Sequence, residues 1–312
     1  MDISFVIPVY NEEGDLLQLH SEISSEMAKL GRSYEIFFIN DGSTDSSLDL
    51  IRKLANEDGH VHCVSFRRNF GKSEALSAGF KRVKGKYVFT LDADLQDDPS
   101  EIPAFLKMME EGYDLVSGWK KERHDPLEKR LPSKLFNATV SFMTGVKLHD
   151  FNCGFKCYTK ECTEELDVYG ERHRFMPALA NERGFKVGEL VVNHRARIHG
   201  KSKFGLERYA RGFLDLLTVT FLATYTRRPA HIIGGIGVLS LILGGLCLFL
   251  SWLLYFFGGT INQVMAAAPF FMTSLALIVF GGLAVFLGLL SELLVARSRT
   301  PLRTIHSVKE EF

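Results

Sequence analysis

The sequence predicts an α/β domain, with a mostly parallel, Rossmann-like sheet and helices on both faces, followed by two membrane-spanning helices. Three observations carry that prediction. Apolar β-rich runs alternate with amphipathic helical stretches through the first 200 residues. Polar clusters follow the successive apolar runs rather than interrupting them. Residues 229–291 contain no Asp, Glu, Lys or Arg, in a chain that carries 37 acidic and 37 basic side chains.

In chain order, residues 3–10, 34–40, 61–66, 86–92 and 114–119 have the β-branched and aromatic content of strands. Residues 12–30, 45–56, 72–81 and 99–111 carry the three- and four-residue spacing of helices between them. Repeated strand–helix alternation implies parallel strands joined by right-handed crossovers. Ligands of such sheets bind beyond the carboxyl ends of the strands. The polar clusters fall there: Tyr10-Asn11-Glu12, Asp41-Gly42-Ser43, Asn69-x-Gly71-Lys72 and Asp92 through Gln96 each follow a predicted strand.

Residues 204–226 have a different texture. Leu206, Tyr209, Phe213, Leu216, Leu217, Thr220 and Phe221 recur at helical spacing, with Glu207, Arg208, Arg211 and Asp215 between them. This pattern predicts an amphipathic helix lying in a membrane interface; the other reading is a helix packed on the α/β domain. The charge-free run then divides into two spans, about 231–257 and 270–294, separated by a turn-like stretch at 258–269. Each span exceeds the roughly 20 residues that a bilayer core requires. Arg227 and Arg228 precede the first span, and Arg297, Arg299 and Arg303 follow the second. The positive-inside rule therefore places both ends in the cytoplasm. The expected organisation is an α/β domain at 1–203, an interfacial segment at 204–228, two spans within 229–296 and a basic tail at 297–312. Ala284 and Gly288 are small residues on which spans could pack, including those of a second copy in a homo-oligomer.

Composition excludes several classes. The balanced overall charge argues neither for nor against a nucleic-acid partner, and none is expected. Five cysteines (Cys63, Cys153, Cys157, Cys162, Cys247), none in C-x-x-C spacing, argue against a zinc ribbon or a redox dithiol and for reduced thiols. Met1-Asp2 leads directly into a strand without a basic n-region, so the N-terminal domain is expected to stay in the cytoplasm.

The chemistry concentrates in Asp92-Ala93-Asp94-Leu95-Gln96. Two carboxylates at a strand-to-loop turn, with the Gln96 amide oxygen, can converge on one hard cation and leave positions open for substrate phosphates. Asp41 stands at a strand end, where its carboxylate could accept from a base or ribose. Ser43, Thr44 and Asp45 read as caps of the following helix. Glu12 reads equally as a first-turn helix residue or as part of the ligand site. There is no G-x-G-x-x-G after the first strand and no G-x-x-x-x-G-K-[ST]. A bound diphosphate would therefore need a metal and basic side chains. Arg197-Ile198-His199-Gly200-Lys201-Ser202-Lys203 offers the latter, or else a polybasic contact with anionic lipid.

Taken together, Val6-x-Pro8-x-Tyr10-Asn11-Glu12, Asn40-Asp41-Gly42-Ser43-x-Asp45, Asn69-x-Gly71-Lys72, Asp92-x-Asp94-x-Gln96, Asp150-x-x-Cys153-Gly154-Phe155 and Arg197-x-x-Gly200-x-Ser202-Lys203 resemble the inverting family-2 glycosyltransferases of GT-A fold. The resemblance is to the polyisoprenyl-phosphate branch, which includes dolichyl-phosphate mannose synthase and the bacterial bactoprenol glucosyltransferases, and it covers nearly the whole chain. It implies that Pro8, Tyr10, Glu12, Asp41 and Lys72 border the nucleotide. It further implies that Asp92 contacts ribose or metal, while Asp94 and Gln96 hold Mg²⁺ or Mn²⁺ against the diphosphate. Arg197 and Lys203 would steady donor phosphates, Arg123, Arg130 and Ser133 would receive the acceptor phosphate, and Asp150 matches the usual base carboxylate.

The implied enzyme is a metal-dependent, inverting hexosyltransferase of the bacterial inner membrane with its catalytic domain in the cytoplasm. It would move a sugar, glucose from UDP-glucose by resemblance, onto undecaprenyl or another polyprenyl phosphate. The alternatives are transfer of mannose from GDP-mannose or of another sugar, and a non-catalytic membrane protein that binds nucleotide sugars. A processive polysaccharide synthase would carry Gln-x-x-Arg-Trp, and neither Trp119 nor Trp252 follows that pattern.

Overall fold

The computed structural model describes residues 1–121, 137, 140–141, 144–170, 172–195, 229–257 and 261–298. The expectations placed on Arg123, Arg130, Ser133, Arg197, Lys203, the interfacial segment and the end of the tail lie outside these residues. The chain divides into two compact units, one holding the sheet and one holding the two long helices.

The first unit is a seven-stranded sheet in the order β3-β2-β1-β4-β6-β5-β7. Its strands are β1 (Ile3–Val9), β2 (Tyr34–Asn40), β3 (Val61–Ser65), β4 (Tyr87–Thr90), β5 (Leu115–Trp119), β6 (Lys156–Thr159) and β7 (Val187–Val191). The helices between them are α1 (Leu16–Leu30), α2 (Ser47–Glu57), α3 (Lys72–Phe80), α4 (Ile102–Glu110), α5 (Lys160–Glu165) and α6 (Met176–Glu182), with short 3₁₀ turns at Pro99–Glu101 and Arg172–Arg174.

Alternation along the strands sorts the core into two layers. Ile3, Phe5, Ile7 and Val9 of β1 face one side, where Leu16, Leu19, Ile23 and Met27 of α1 cover them. Val6 of β1, Ile39 of β2 and Val88 of β4 face the other, under Ala75 and Leu76 of α3 and Met176 and Ala180 of α6. The first five predicted strands and four predicted helices all form. Helix α1 stops where Gly31 adopts a left-handed φ of 62° and returns its N–H to Met27 O.

The strands are not all parallel. β6 inserts antiparallel between β4 and β5. It has four residues, three of them buried, and a lysine among them, so it shows neither alternation nor an apolar run. The elements that follow it in the chain, α5, α6 and β7, are also short and lie outside the predicted elements.

In the second unit, α7 (Pro229–Phe257) and α8 (Ile261–Ser298) form an antiparallel-sequence pair of apolar helices, each long and apolar enough to cross a membrane. The stretch predicted as a turn up to residue 269 is shorter than expected. Helix α8 begins at Ile261 and runs through Pro269, helped by the strongly helix-forming run Met265 through Ala268. The small residues bring the two helices of one chain together. A Cβ on Gly288 would lie 2.9 Å from Gly234 N, and Cβ atoms on Gly237 and Gly281 would each lie 2.7 Å from the other's carbonyl oxygen. Ala284 is buried in the same unit. Both residues offered for packing between copies are thus used within the hairpin.

Candidate active site

The loops after β1 and β2 are joined at the carboxyl edge of the sheet. Asn11, held at φ 56°, donates its N–H to Ser43 Oγ at 3.0 Å, and its Oδ1 accepts from Thr44 N at 2.8 Å. Glu12 N donates to Ser47 Oγ at 3.0 Å, and Ser46 N donates to Glu13 Oε2 at 2.9 Å. This corrects the expected capping. Ser43 and Thr44 tie loop to loop, α2 starts later at Ser47, and Asp45 alone plays a cap-like part by accepting from Ser47 N at 3.0 Å. Pro8 lies on β1 opposite Ile39, Tyr10 is exposed just beyond the strand, and Glu12 is half-buried.

Asp41 does not simply face an open crevice. It is buried, and its two oxygens accept from Phe70 N at 2.7 Å and Gly71 N at 2.9 Å. It therefore fixes the backbone immediately ahead of Lys72. Gly42 allows this approach: at φ 70°, a Cβ there would fall 2.4 Å from the Arg68 carbonyl carbon.

Lys72 opens α3 and pairs through Nζ with Asp92 Oδ1, beyond the end of β4. Burial pushes the Asp92 carboxyl up, but the ammonium groups of Lys72 and Lys120 override it and hold the group at about 2. On the other side, Asp92 rests against Gly154, where a Cβ would meet its Oδ2 at 2.5 Å. Asp94 is buried and accepts from Gln96 N at 3.3 Å through a turn in which Leu95 takes φ 58°.

Several supporting groups were invisible in the sequence. Lys120, the residue after β5, pairs with the buried Asp97 at 2.9 Å, and Asp97 Oδ2 accepts from Asp92 N at 3.4 Å. Burial would lower the Lys120 pKa, but Asp97 dominates and raises it. Arg195 N donates to Gln96 O at 3.0 Å, while its guanidinium reaches Asp98 and Glu22, each at 2.6 Å. The segment after β7 is therefore tied to the acidic loop, with an isolated bridge between Asp97 and His194. Lys156 is fully buried and donates to the carbonyls of Cys153 and Phe151. Burial lowers its pKa, and it lies within the electrostatic reach of both Asp150 and Asp92. Burial pushes the Cys153 thiol up to about 12, which keeps it protonated and unreactive. Asp150 is fully buried and accepts from Asn152 N at 3.0 Å.

The donors fit a divalent cation in kind: Asp92, Asp94 and Gln96 offer hard oxygens on one short loop. Among the described residues no three His, Cys, Asp or Glu side chains converge on a point.

Comparison with known proteins accords with this architecture. The family model of glycosyl transferase family 2 matches residues 4–167. A dodecaprenyl-phosphate galacturonate synthase of Rhizobium johnstonii is 34% identical over 299 residues, 94% of this chain and 88% of that one. An undecaprenyl-phosphate 4-deoxy-4-formamido-L-arabinose transferase of Shewanella sediminis is 39% identical over 292 residues, covering 93% and 86%. Among solved structures, glucosyl-3-phosphoglycerate synthase of Mycobacterium tuberculosis, in complex with Mn²⁺ and UDP-glucose, shares the fold with a TM-score of 0.56 at 19% identity, over 71% of this chain and 78% of that one. The chain belongs to glycosyl transferase family 2, has its GT-A fold, and is related over nearly its whole length to polyprenyl-phosphate sugar transferases.

Proposed function

We propose that this protein transfers a sugar from a nucleotide diphosphate donor to a polyprenyl phosphate at a membrane, with inversion. The observation that carries this reading is the meeting of Lys72 with the Asp92–Gln96 loop at the carboxyl edge of the sheet, in a chain that also has two apolar helices. The full-length relatives, both named for polyprenyl-phosphate products, support the acceptor class.

Leaving-group chemistry sets what the site must do. Cleaving the bond between the anomeric carbon and the diphosphate concentrates negative charge on the departing nucleotide. Lys72 can turn from Asp92 to a phosphate oxygen, and Arg197 and Lys203 are proposed to add further positive charge. A divalent cation held by Asp92, Asp94 and Gln96, either Mg²⁺ or Mn²⁺, would supply Lewis-acid stabilisation of that charge. The acceptor phosphate is already ionised near neutral pH, so Asp150 orients the nucleophile or sugar rather than abstracting a difficult proton. Pro8, Tyr10, Glu12 and Asp41 line or brace the nucleotide side, and Arg123, Arg130 and Ser133 are proposed to receive the acceptor. The periodicity of residues 204–228 supports an interfacial segment joining the catalytic domain to the spans, and the flanking arginines support a cytoplasmic catalytic face.

The sugar is the open variable of the proposal. Glucose follows from the sequence resemblance, whereas the full-length relatives are named for galacturonate and formamidoarabinose. The decisive assay incubates membranes containing the protein with undecaprenyl phosphate and labelled UDP-glucose, UDP-galacturonate or GDP-mannose, then identifies the lipid product and its anomeric configuration. Failure to form a lipid-linked sugar from any nucleotide sugar in a wider panel, with the donor still bound, would favour the binding-protein reading instead.

A further inference from the structure

Asp150 lies in an irregular loop whose backbone is gripped by side chains from elsewhere in the chain. Glu189, on β7 beside Ser117 of β5, reaches across to this loop. Its Oε1 accepts from two consecutive backbone donors, His149 N at 2.8 Å and Asp150 N at 3.0 Å. Its Oε2 lies 2.7 Å from His149 Nδ1. The His149 ring in turn stacks on Trp119, which ends β5, with centroids 4.0 Å apart and planes within 12°. Asn137, which is buried, donates to His149 O at 2.8 Å and accepts from Phe151 N at 3.4 Å.

We propose that Glu189 is a positioning residue for the transfer reaction: it clamps the His149–Asp150 backbone and so sets where the Asp150 carboxylate stands. This inference rests on the role of Asp150 in the proposed function. Three features set the contact apart from an ordinary surface ion pair. The Glu189 side chain is only 11% exposed. One oxygen takes both N–H groups, which ordinary pairing does not require. The other oxygen is braced through an aromatic stack to the neighbouring strand, so the loop is registered to β5 and β7 together. A carboxylate that must meet a reacting phosphate or sugar needs its backbone fixed to a fraction of an ångström. Displacement by about 1 Å is enough to cost on the order of a hundredfold in rate.

The test uses the full-length protein in membranes, with kcat and donor KM measured at saturating lipid phosphate. Glu189→Ala removes the clamp. Glu189→Asp keeps the charge but shortens the reach by one methylene, and stands in if the alanine variant folds poorly. Both should lower kcat by about tenfold or more while donor KM and UDP affinity stay within about twofold. Glu189→Gln keeps the doubly accepting oxygen and should recover most of the turnover that Glu189→Ala loses. In an Asp150→Asn background, Glu189→Asp should cost little more, because the two residues act as one unit.

A depressed kcat in D150N together with wild-type turnover in a folded E189A or E189D variant overturns the inference alone. Wild-type turnover in D150N overturns the role of Asp150 and this inference with it. Parallel loss of UDP affinity in E189D, or additive loss in the double variant, would reduce Glu189 to general packing and also overturns it.

Discussion

Gly154 offers the sharpest test of the site's geometry. Alanine there would place its Cβ 2.5 Å from Asp92 Oδ2, 2.6 Å from Cγ and 2.8 Å from Oδ1. Ordinary contact needs most of an ångström more, so something must retreat by about 0.5–1 Å. The Gly154 backbone is poorly placed to move. Its carbonyl accepts from Thr90 Oγ1 at 2.8 Å, and its neighbours Cys153 and Phe155 are buried in the core. The Asp92 carboxylate is the free end of a side chain, so it should yield, and in yielding it leaves its position against Lys72. The stability cost should fall at the low end of overpacking, about 1 kcal/mol. The functional cost should be much larger, about ten- to a hundredfold in kcat/KM for the donor, because Asp92 is displaced at the diphosphate side of the site. Gly59→Ala is the matched control, since a Cβ there meets nothing within 4 Å. Lipid-product formation over a donor titration reads the kinetics, and thermal melting in detergent reads the fold. Wild-type donor kinetics in G154A would refute the placement of Asp92. A collapse in melting temperature would show that the backbone, not the carboxylate, gives way.

Asp94→Ala should abolish most transfer while costing no more than about 1–3 kcal/mol of stability for the acceptor lost by Gln96 N; chelator-resistant turnover or an active D94A enzyme would remove the metal assignment. Asp41→Ala should release the Phe70 and Gly71 N–H groups, raise donor KM more than it lowers kcat, and cost roughly 1–3 kcal/mol of stability; a loss confined to kcat in steady-state kinetics would contradict its place on the nucleotide side. Asp92 gives a pH signature. Its carboxyl is held at about 2 against an ordinary 3.8, so its contribution to folding is complete above about pH 4 and is lost as pH falls through 2. Melting temperature between pH 5 and 2 should therefore drop more steeply in the wild type than in Asp92→Asn, and equal slopes would count against the Lys72–Asp92 pair.

What the linear chain determines here is everything set by local pattern. The β-rich runs and helical spacing specify the first five strands and four helices, because burying alternate faces of a sheet leaves a period that survives in one dimension. The charge-free run specifies two long apolar helices by its length and unbroken apolarity rather than by a period. The polar clusters at strand ends specify the edge of the sheet where the candidate site lies, and Asp92, Asp94 and Gln96 stand out in the sequence because one loop holds them all. Tertiary structure decides what depends on contacts distant in sequence. Strand β6 pairs antiparallel although its four residues carry no pattern of their own. Asp41 turns out to brace the loop before Lys72, thirty residues away, rather than stand free in a crevice. Gly154 must lack a side chain because Asp92 fills the space, and Glu189 reaches back to a loop forty residues earlier. Each of these is a distance between groups that share no local period, so no spacing along the chain could announce it; only folding brings the partners together.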